Sequence, residues 1–449
     1  MTAPTTTYVE PKAPRGTRDF DPDDMRVREW VISVASSVYR RHGAVQIETP
    51  TFELTSVLTG KYGEEGQGLI YNIERKVEGH EELSLRYDLT VPFARYIAQR
   101  GITTMKRYQI GRVYRRDEVS VKHGRYREFY QCDFDYAGPT DRMVADAECV
   151  AVMSELLRAL GVGRFRIKVN HRGLLDAMLR VAGVKPENFR TVSSSIDKLD
   201  KLPWAAVREE IVMTKGAASE EAADAIGRFA TVHGAPADVI AAAGAFAAGD
   251  DGGAAALRDL ELLAKYCGLL GCAGDVEYDL SLARGLDYYT GAVFEAVLLD
   301  EEMGSIAGGG RYDDMLGMFS RGGASIPAVG FALGIERVFD IVAKKPSATK
   351  PRIDVAVIAA TPGCTEYRMR VCSELWGAKV STEMCYSDKP RLKAHLAEAA
   401  KEGARLAAIV GADEVAKETV TLKDLTTGAS QEVQLAALWS TVLAVLAVK

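Results

Sequence analysis

The residue types best suited to chemistry are concentrated in one short arginine-rich segment, residues 106–128. Its 23 residues contain eight basic and three acidic side chains, which gives a local charge of +5 in a chain whose net charge is -6. Most of the basic residues are arginines, whose planar guanidinium matches the oxygens of phosphates and carboxylates. The segment therefore predicts a site for an anionic ligand, the alternative being an ordinary solvated charged loop.

The elements around this segment are predicted to be strands. Residues 106–136 alternate between apolar and polar types, with a polar interruption near Gly124, which predicts two antiparallel strands joined by a charged loop. Since strand residues two apart share a face, Gln131, Asp133 and Asp135 are expected to lie together beside the arginines. A face with arginines and carboxylates suits a ligand that has both anionic and cationic groups. An amino acid together with ATP fits that description.

Composition excludes several other classes of protein. An apolar fraction of 47% is ordinary for a globular chain and too high for a disordered one. A mean hydropathy of -0.06 argues against an integral membrane protein. The longest uncharged run, residues 433–448, is short for a span of roughly 20 residues and predicts a buried terminal helix. The acidic net charge excludes a protein whose whole surface binds nucleic acid, but it permits a local basic site.

Cysteine and histidine usage bears on metals and on location. The seven cysteines include no Cys-x-x-Cys pair, and the six histidines form no Cys/His cluster, so a structural zinc site is not expected. We expect reduced thiols in a cytosolic setting. The N-terminus has no signal-peptide pattern but is poor in acidic residues, which leaves mitochondrial targeting open.

The 449 residues suggest about three domains at roughly 150 residues each. Strand-rich stretches at 1–170 and 275–344 are separated by an alanine-rich helical pattern at 171–274, which predicts an inserted helical domain. Gly308 to Gly310 are expected to break the chain. Residues 345–351 have linker composition, and residues 352–449 alternate strands with helices, which predicts a mostly parallel α/β domain. The phosphate-loop and dinucleotide-binding glycine motifs do not occur.

Several segments resemble the motifs of class II aminoacyl-tRNA synthetases. The sequence YRRD at 114–117 with GRYREF at 124–129 is similar to motif 2, GFALGIER at 330–337 to motif 3, and the segment ending at Pro50 to motif 1. LARGLDYYTG at 282–291 and AGGGRYD at 307–313 resemble signatures of histidyl-tRNA synthetases, and YREFYQCDFD at 126–135 resembles eukaryotic members most closely. This resemblance covers essentially the whole chain. It implies an α+β catalytic core on an antiparallel sheet, a helical insertion and a C-terminal α/β anticodon-binding domain.

The resemblance also implies an activity and its partners. L-histidine and ATP would give histidyl-adenylate and pyrophosphate, and the histidyl group would pass to the 3′ end of tRNA-His. Mg²⁺ would accompany ATP, with no metal assigned to the protein alone, and a homodimer would form near Pro50, without a membrane. The alternative is a non-catalytic paralogue, acting as a regulatory subunit or a sensor of uncharged tRNA. Such chains typically lose the motif arginines or the anticodon domain, which this chain keeps.

By resemblance, three arginines carry the chemistry. Arg115 holds the α-phosphate of ATP, Arg337 holds the γ-phosphate, and Arg284 stands beside the reacting centre. Adenylation brings a carboxylate to the α-phosphorus, so a cation there lowers the repulsion and stabilises the transition state. The alternative for Arg284 is a turn cap at Gly285. For Arg337 it is a helix-surface ion pair beside an exposed Glu336.

The remaining site residues also follow from the resemblance. Asp88, Thr90 and Gln131 would take the histidine ammonium, and Asp135 with Tyr288 would read the ring. The expected histidine contacts are Asp88, Thr90, Arg125, Gln131, Asp135, Tyr288, Tyr289 and Gly309. The expected ATP contacts are Arg115, Asp117, Tyr126, Gly334 and Arg337.

Three of these positions depart from the family pattern. Asp117 stands where motif 2 normally has Glu, and Asp88 and Asp135 stand where bacterial members have Glu. At Asp88 and Asp135 the shorter side chain implies a backbone shift or a bridging water. At Asp117 it bears on one contact of the motif 2 carboxylate, with the adenine or the tRNA end. Asp88 has the alternative of a helix cap. One of Tyr288 and Tyr289 is expected only to pack, because successive strand residues face opposite sides.

The C-terminal domain is expected to read the anticodon through single-stranded bases splayed onto its sheet. A basic group, Lys389, Arg391 and Lys393, lies at the start of a predicted helix over 389–402. A solvated helix face is the alternative for these three residues.

Overall fold

The structure is a computed structural model that describes residues 10–74, 81–120, 124–283, 288–300, 304–319, 325–344, 353–387 and 389–447. The chain divides into two units, Met1–Ala348 and Thr349–Lys449. The predicted linker, residues 345–351, lies outside the described residues. Within the described residues, no helix has the length and apolar character that a membrane crossing requires.

The first unit is built on a mainly antiparallel sheet of nine strands, in the order β1-β4-β5-β11-β10-β9-β6-β8-β7. Only the β1–β4 and β6–β8 pairs of this sheet are parallel. The predicted antiparallel core is therefore confirmed. The strands of this unit, in which β2 and β3 pair separately, are β1 (Val45–Gln46), β2 (Phe52–Leu54), β3 (Leu83–Leu85), β4 (Met105–Tyr114), β5 (Glu128–Ala137), β6 (Phe165–His171), β7 (His233–Gly234), β8 (Val276–Asp279), β9 (Ala292–Leu298), β10 (Ser305–Arg311) and β11 (Ala328–Gly334).

Helices cover this sheet and fill the stretch between β6 and β8. They are α1 (Pro22–Arg41), α2 (Thr55–Leu58), α3 (Gly63–Gly68), α4 (Thr90–Arg100), α5 (Val144–Leu160), α6 (Arg172–Val181), α7 (Phe189–Ile196), α8 (Trp204–Glu209), α9 (Glu220–Ala230), α10 (Pro236–Phe246), α11 (Asp251–Leu269), α12 (Asp313–Gly317) and α13 (Ile335–Val342). Helix α1 begins at Pro22, because the Asp21 side chain caps it by accepting the N–H groups of Asp23 and Asp24. Helices α6 to α11 occupy the predicted insertion, and β7 within it pairs with β8.

The two long strands predicted from the arginine-rich segment are confirmed as β4 and β5. They pair antiparallel with Arg107 opposite Asp135, Gln109 opposite Asp133 and Gly111 opposite Gln131. Residues directly opposite each other point to the same face of the sheet, so the polar side chains of β5 share a face with their partners on β4. Strand β5 lies inside the sheet, between β4 and β11.

The prediction that Gly308 to Gly310 break the chain is wrong, because all three lie within β10. A Cβ atom on Gly309 would come within 2.1 Å of the Gly330 carbonyl oxygen on β11. Glycine is therefore required here by the close approach of two strands and not by a turn.

The second unit has a five-stranded sheet in the order β13-β12-β14-β15-β16. Its elements are β12 (Val355–Ala359), α14 (Thr365–Gly377), β13 (Thr382–Met384), α15 (Leu392–Lys401), β14 (Leu406–Val410), α16 (Ala412–Lys417), β15 (Thr419–Asp424), β16 (Ser430–Gln434) and α17 (Leu438–Ala447). Strands β12, β13 and β14 are parallel as predicted, whereas β15 and β16 are antiparallel. Their connection is a tight turn, which is too short for a parallel crossover.

The predicted terminal helix over 433–448 needs correction. Residues up to Gln434 belong to β16, and the helix begins at Leu438. Leu438 and Val442 are buried, while Trp439 and Leu443 are more than 40% exposed. The run is therefore an edge strand followed by a half-buried helix. All seven cysteines are free, as expected for reduced thiols.

Candidate active site

Two adjoining cavities open on residues of β5, β10 and β11. The first cavity has a volume of about 290 Å³ and the second about 380 Å³. Both are lined by Arg115, Gln131, Gly308 and Ala332. The cavities are therefore two compartments of one site, with the Arg115 guanidinium at their junction.

The first cavity collects most of the residues predicted to bind histidine. Its walls include Asp88, Thr90, Gln131, Asp135, Tyr288 and Tyr289. Two predicted residues lie elsewhere: Arg125 lines the second cavity, and Gly309 faces β11. The neighbouring Gly308 lines both cavities in its place.

Asp88 both caps a helix and forms part of the cavity wall. Its Oδ1 accepts a hydrogen bond from the Val91 N–H at 3.0 Å, in the first turn of α4, and another from the Tyr62 hydroxyl at 2.9 Å. Burial raises the pKa of the Asp88 carboxyl. The two interpretations of Asp88 are thus compatible, since the cap fixes the carboxylate in the cavity wall.

Asp135 is held from several sides by residues for which no role was predicted. The Tyr312 hydroxyl donates to Oδ1, and Arg107 Nη2 lies 2.7 Å from Oδ2. A Cβ atom on Gly330 would fall 2.0 Å from Oδ1, so only glycine leaves room for the carboxylate. The histidyl signature at 307–313 contains Tyr312, but only the fold places it against Asp135.

Gln131 presents an unsatisfied acceptor to the site. Its side chain is only 8% exposed, and its Oε1 has no hydrogen-bond partner among the described residues. Buried polar atoms in folded proteins are nearly always hydrogen-bonded. The position therefore calls for a donor from a ligand, such as an ammonium group.

Tyr288 and Tyr289 both line the first cavity, so the expectation that one of them only packs is wrong. Their ring centroids are 4.7 Å apart in an edge-to-face arrangement. The alternation rule fails because this pair precedes β9, which begins at Ala292, and does not lie in a strand.

The second cavity contains every residue predicted to bind ATP. Arg115, Asp117, Tyr126, Gly334 and Arg337 all line it, and Arg125 adds a third arginine. Three guanidinium groups around one cavity provide the charge that a polyphosphate needs.

Arg115 is fixed by contacts with its surroundings. Its guanidinium stacks 4.2 Å from the Tyr87 ring centroid and 5.2 Å from that of Phe129. Its Nε donates to the Tyr87 carbonyl oxygen at 3.2 Å. These contacts leave the rest of the planar group available to ligands from both compartments.

The helix that carries Arg337 is anchored by a buried neighbour. Glu336 is 4% exposed, so the alternative of a surface ion pair with an exposed Glu336 is wrong. Its carboxylate accepts the Tyr130 N–H at 2.9 Å and pairs with Arg28 Nη2 at 3.2 Å. Burial raises the pKa of Glu336 to about 6. Arg337, one residue on, donates to the Ser305 carbonyl oxygen.

Two parts of the predicted site lie outside the described residues. Residues 284–287 include Arg284, and residues 121–123 belong to the motif 2 loop. Among the residues that are described, no group of three or more His, Cys, Asp or Glu side chains could hold a metal ion.

Comparison with known proteins bears on the same residues. A family model described as histidyl-tRNA synthetase matches residues 16–338, and one described as anticodon binding domain matches residues 354–444. The chain belongs to the histidyl-tRNA synthetase family. The first match spans both cavities, and the second coincides with the five-stranded unit.

Relatives in the histidyl-tRNA synthetase family resemble the chain over most of its length. It is 46% identical to the cytoplasmic histidine–tRNA ligase of Takifugu rubripes over 93% of this chain and 84% of the relative. It is 44% identical to the mitochondrial histidine–tRNA ligase of Bos taurus over 92% of this chain and 84% of the relative. The crystal structure of a Nostoc histidyl-tRNA synthetase superposes with a TM-score of 0.81 and 29% identity, covering 97% of this chain and all of that one.

Proposed function

We propose that this chain is a histidine–tRNA ligase. It activates L-histidine with ATP to histidyl-adenylate and pyrophosphate and then transfers histidine to the 3′ end of tRNA-His. The observation that carries this proposal is the position of Arg115 at the junction of the two cavities. An amino acid carboxylate in the first cavity and an α-phosphate in the second would meet at that guanidinium.

Histidine is proposed to occupy the first cavity. Asp88, Thr90 and Gln131 accept its ammonium, and Asp135 with Tyr288 reads the ring. A pocket of about 290 Å³ with buried acceptors on two sides rejects analogues that lack the ring N–H, because those acceptors would then be left unpaired.

ATP is proposed to occupy the second cavity. Arg115 and Arg337 hold its α- and γ-phosphates, and Asp117, Tyr126 and Gly334 border the nucleotide. Mg²⁺ would arrive with the phosphates, since it prefers phosphate oxygens and water to a cage of protein ligands. Two carboxylates line this cavity, those of Asp117 and Glu336, and Glu336 is already bonded to Tyr130 and Arg28.

Arg284 is proposed to stabilise the adenylation step. The histidine carboxylate attacks the α-phosphorus, pyrophosphate leaves, and negative charge grows on the non-bridging oxygens. An arginine at that point acts on charge that develops in the transition state. This role comes from the family resemblance of residues 282–291.

The second unit is proposed to bind the anticodon. Lys389, Arg391 and Lys393 are all exposed, and Tyr386 is 89% exposed beside the edge strand β13. Positive charge next to an exposed aromatic ring suits single-stranded bases and their phosphates.

A homodimer is proposed through the motif 1 region near Pro50. Val45 and Phe52 are each 53% exposed, and β1 is an edge strand of the nine-stranded sheet. Exposed apolar side chains on a sheet edge favour a protein contact. Phe52→Glu should shift the sedimentation profile from dimer to monomer. An unchanged dimer would contradict this interface.

The activity is tested by histidine-dependent exchange between pyrophosphate and ATP. We expect exchange with L-histidine and none with other amino acids. Exchange that is absent under all conditions would favour the alternative, a non-catalytic regulatory or tRNA-sensing paralogue. The presence of Arg115, Arg337 and the whole second unit argues against that alternative.

The names of relatives include cytoplasmic and mitochondrial forms, and we propose a cytosolic location.

A further inference from the structure

A buried group of charged side chains lies next to the first cavity. We call it the Arg107 cluster, which consists of Arg107, Asp133 and Asp135. Their exposed fractions are 0%, 1% and 2%. Arg107 Nη2 is 2.7 Å from an oxygen of Asp135 and 3.7 Å from one of Asp133. Two carboxylates thus share one guanidinium, and with both ionised the cluster would carry an uncompensated buried negative charge.

The two carboxylates are neutralised unequally. Asp135 has the shorter contact with Arg107 and also accepts the Tyr312 hydroxyl. Asp133 has only the longer contact. Asp133 Oδ1 and Asp135 Oδ2 both lack a hydrogen-bond partner among the described residues, so the two carboxylates differ in the Tyr312 hydroxyl and in the ion-pair distance. Burial raises the pKa of Asp133 well above its usual range, and Arg107 offsets this only in part. The proton that the cluster needs therefore belongs on Asp133.

Arg107 makes its polar contacts through Nη2, while its Nε and Nη1 have no hydrogen-bond partner among the described residues. Its Nη2 donates to the Leu89 carbonyl oxygen at 3.0 Å, and its guanidinium lies 4.5 Å from the Phe93 ring centroid. Leu89 directly precedes helix α4, which begins at Thr90, a residue of the cavity wall. Arg107 consequently ties the segment that carries Asp88 to the carboxylate of Asp135.

We propose that Arg107 is a positioning residue for histidine recognition, and that Asp133 carries the proton that lets Asp135 stay ionised toward the ligand. The proposal rests on the proposed function, because Asp135 must face a histidine ring. Asp135 lines the first cavity, whereas its neighbours in the cluster act behind it. The Asp135 side chain is shorter than the Glu of bacterial members, and Arg107 on β4 thus fixes its orientation toward the cavity.

Other titratable or charged groups face the two carboxylates from the surrounding elements. They are Tyr39 of α1, Arg86 after β3, Asp88 before α4, Arg115 after β4, Cys149 of α5 and Tyr289. Only Asp88 among them is a carboxyl; it lines the same cavity, and besides burial its charge raises the pKa of both Asp133 and Asp135. Its own donors are the Tyr62 hydroxyl and the Val91 N–H. Asp88 is unchanged in every variant of the test, so its influence is common to all of the dissociation constants that are compared.

The test measures histidine and ATP dissociation constants by calorimetry from pH 6 to pH 8. Free histidine titrates identically in every experiment, so the ratio of variant to wild-type constants isolates the change in the protein. Arg107→Met should weaken histidine binding several-fold more at pH 6 than at pH 8, because loss of the cation raises the pKa of Asp135 and the carboxyl is then protonated at the lower pH. Arg107→Lys should restore a flat ratio.

Asp133→Asn replaces a protonated carboxyl with another uncharged group, so histidine should bind the variant as tightly as wild type at both pH 6 and pH 8. The double variant should recover part of the loss of Arg107→Met, and ATP binding should stay constant throughout. A purely structural role predicts additive losses for both ligands instead.

A matched control is Glu53→Gln, which removes another buried carboxylate paired with an arginine, Arg95. It should leave the pH ratio for histidine flat. Arg107→Met leaves two buried carboxylates without their cation, which destabilises the fold. If that variant does not fold, Asp133→Asn alone tests the inference. Histidine binding that becomes tighter or weaker than wild type in the Asp133→Asn variant would show that Asp133 is ionised and would overturn the inference. Wild-type protein that binds no histidine at any pH would overturn the proposed function as well.

Discussion

At the scale of single residues, the site depends on side chains whose roles follow from their neighbours. Arg115 and Gln131 face both cavities, and Glu336 anchors the helix that presents Arg337. Sequence motifs identify the arginines, because phosphate chemistry needs that side chain. The buried partners such as Arg107 carry no motif and become visible only through their contacts.

Arg284→Ala should abolish most pyrophosphate exchange while histidine still binds. Removing one cation that acts only in the transition state costs about 3–4 kcal/mol, which is about a hundredfold to a thousandfold in rate. Single-turnover adenylate formation and calorimetric histidine binding measure the two effects separately. Near-normal exchange in this variant would contradict the assigned role, with Arg284→Lys as the charge-preserving control.

Glu336 should contribute a pH-dependent term to stability. Its pKa in the folded protein is about 6, against 4.5 for an unperturbed glutamate, so the folded state binds its proton more tightly than the unfolded state. Stability from this group is present below about pH 4.5 and is lost as the pH rises through about 6. The loss amounts to about 2 kcal/mol.

Glu336→Gln should remove this term. From pH 4.5 to pH 7, the unfolding free energy of wild type should therefore fall by about 2 kcal/mol relative to that of the variant. Urea denaturation at both pH values measures it. A difference that stays constant with pH would show that the buried carboxyl does not titrate in this range.

At the scale of elements, glycine decides how closely β10 and β11 approach. The sequence shows three consecutive glycines, which suggest a turn, but the strands pair directly through them. On Gly309 a Cβ would meet backbone atoms of β11, while on Gly308 the nearest atom would be the Phe294 carbonyl oxygen at 3.6 Å. Adjacent glycines thus serve different purposes, one for strand packing and one for the cavities.

Gly309→Ala should lower the free energy of unfolding by about 1–3 kcal/mol, because the strands must separate to admit the methyl group. Gly308→Ala should change it by less than about 0.5 kcal/mol, since its methyl makes an ordinary contact. Chemical denaturation of both variants makes the comparison. Equal destabilisation by the two alanines would contradict the strand-packing explanation.

At the scale of the whole molecule, the two units have different proposed functions. The nine-stranded unit holds both cavities, and the five-stranded unit carries the exposed basic group and matches the anticodon-binding family model. The chain is acidic as a whole, so tRNA binding must rely on local basic surfaces. Charge removed from the second unit should therefore affect tRNA and not histidine activation.

The double substitution Arg391→Ala with Lys393→Ala should raise the KM for tRNA and leave pyrophosphate exchange unchanged. Each lost phosphate contact should also reduce the salt slope of tRNA binding by about 1. Filter binding at several salt concentrations measures that slope. The double substitution Lys417→Ala with Lys423→Ala, on α16 and β15 of the same unit, removes the same charge and serves as the control. An equal effect there would contradict a specific role for the basic group.

The sequence by itself determined the antiparallel core, the two long strands, the family and most of the residues around the cavities. Periodicity and motif spacing encode these features locally, since strand alternation fixes which side chains share a face. The sequence did not predict features that depend on contacts between residues far apart in the chain. The approach of β10 to β11, the burial of Glu336 by Arg28 and the sharing of Arg107 between Asp133 and Asp135 are properties of tertiary packing. Only the folded chain brings those partners together, and only burial makes their charges matter.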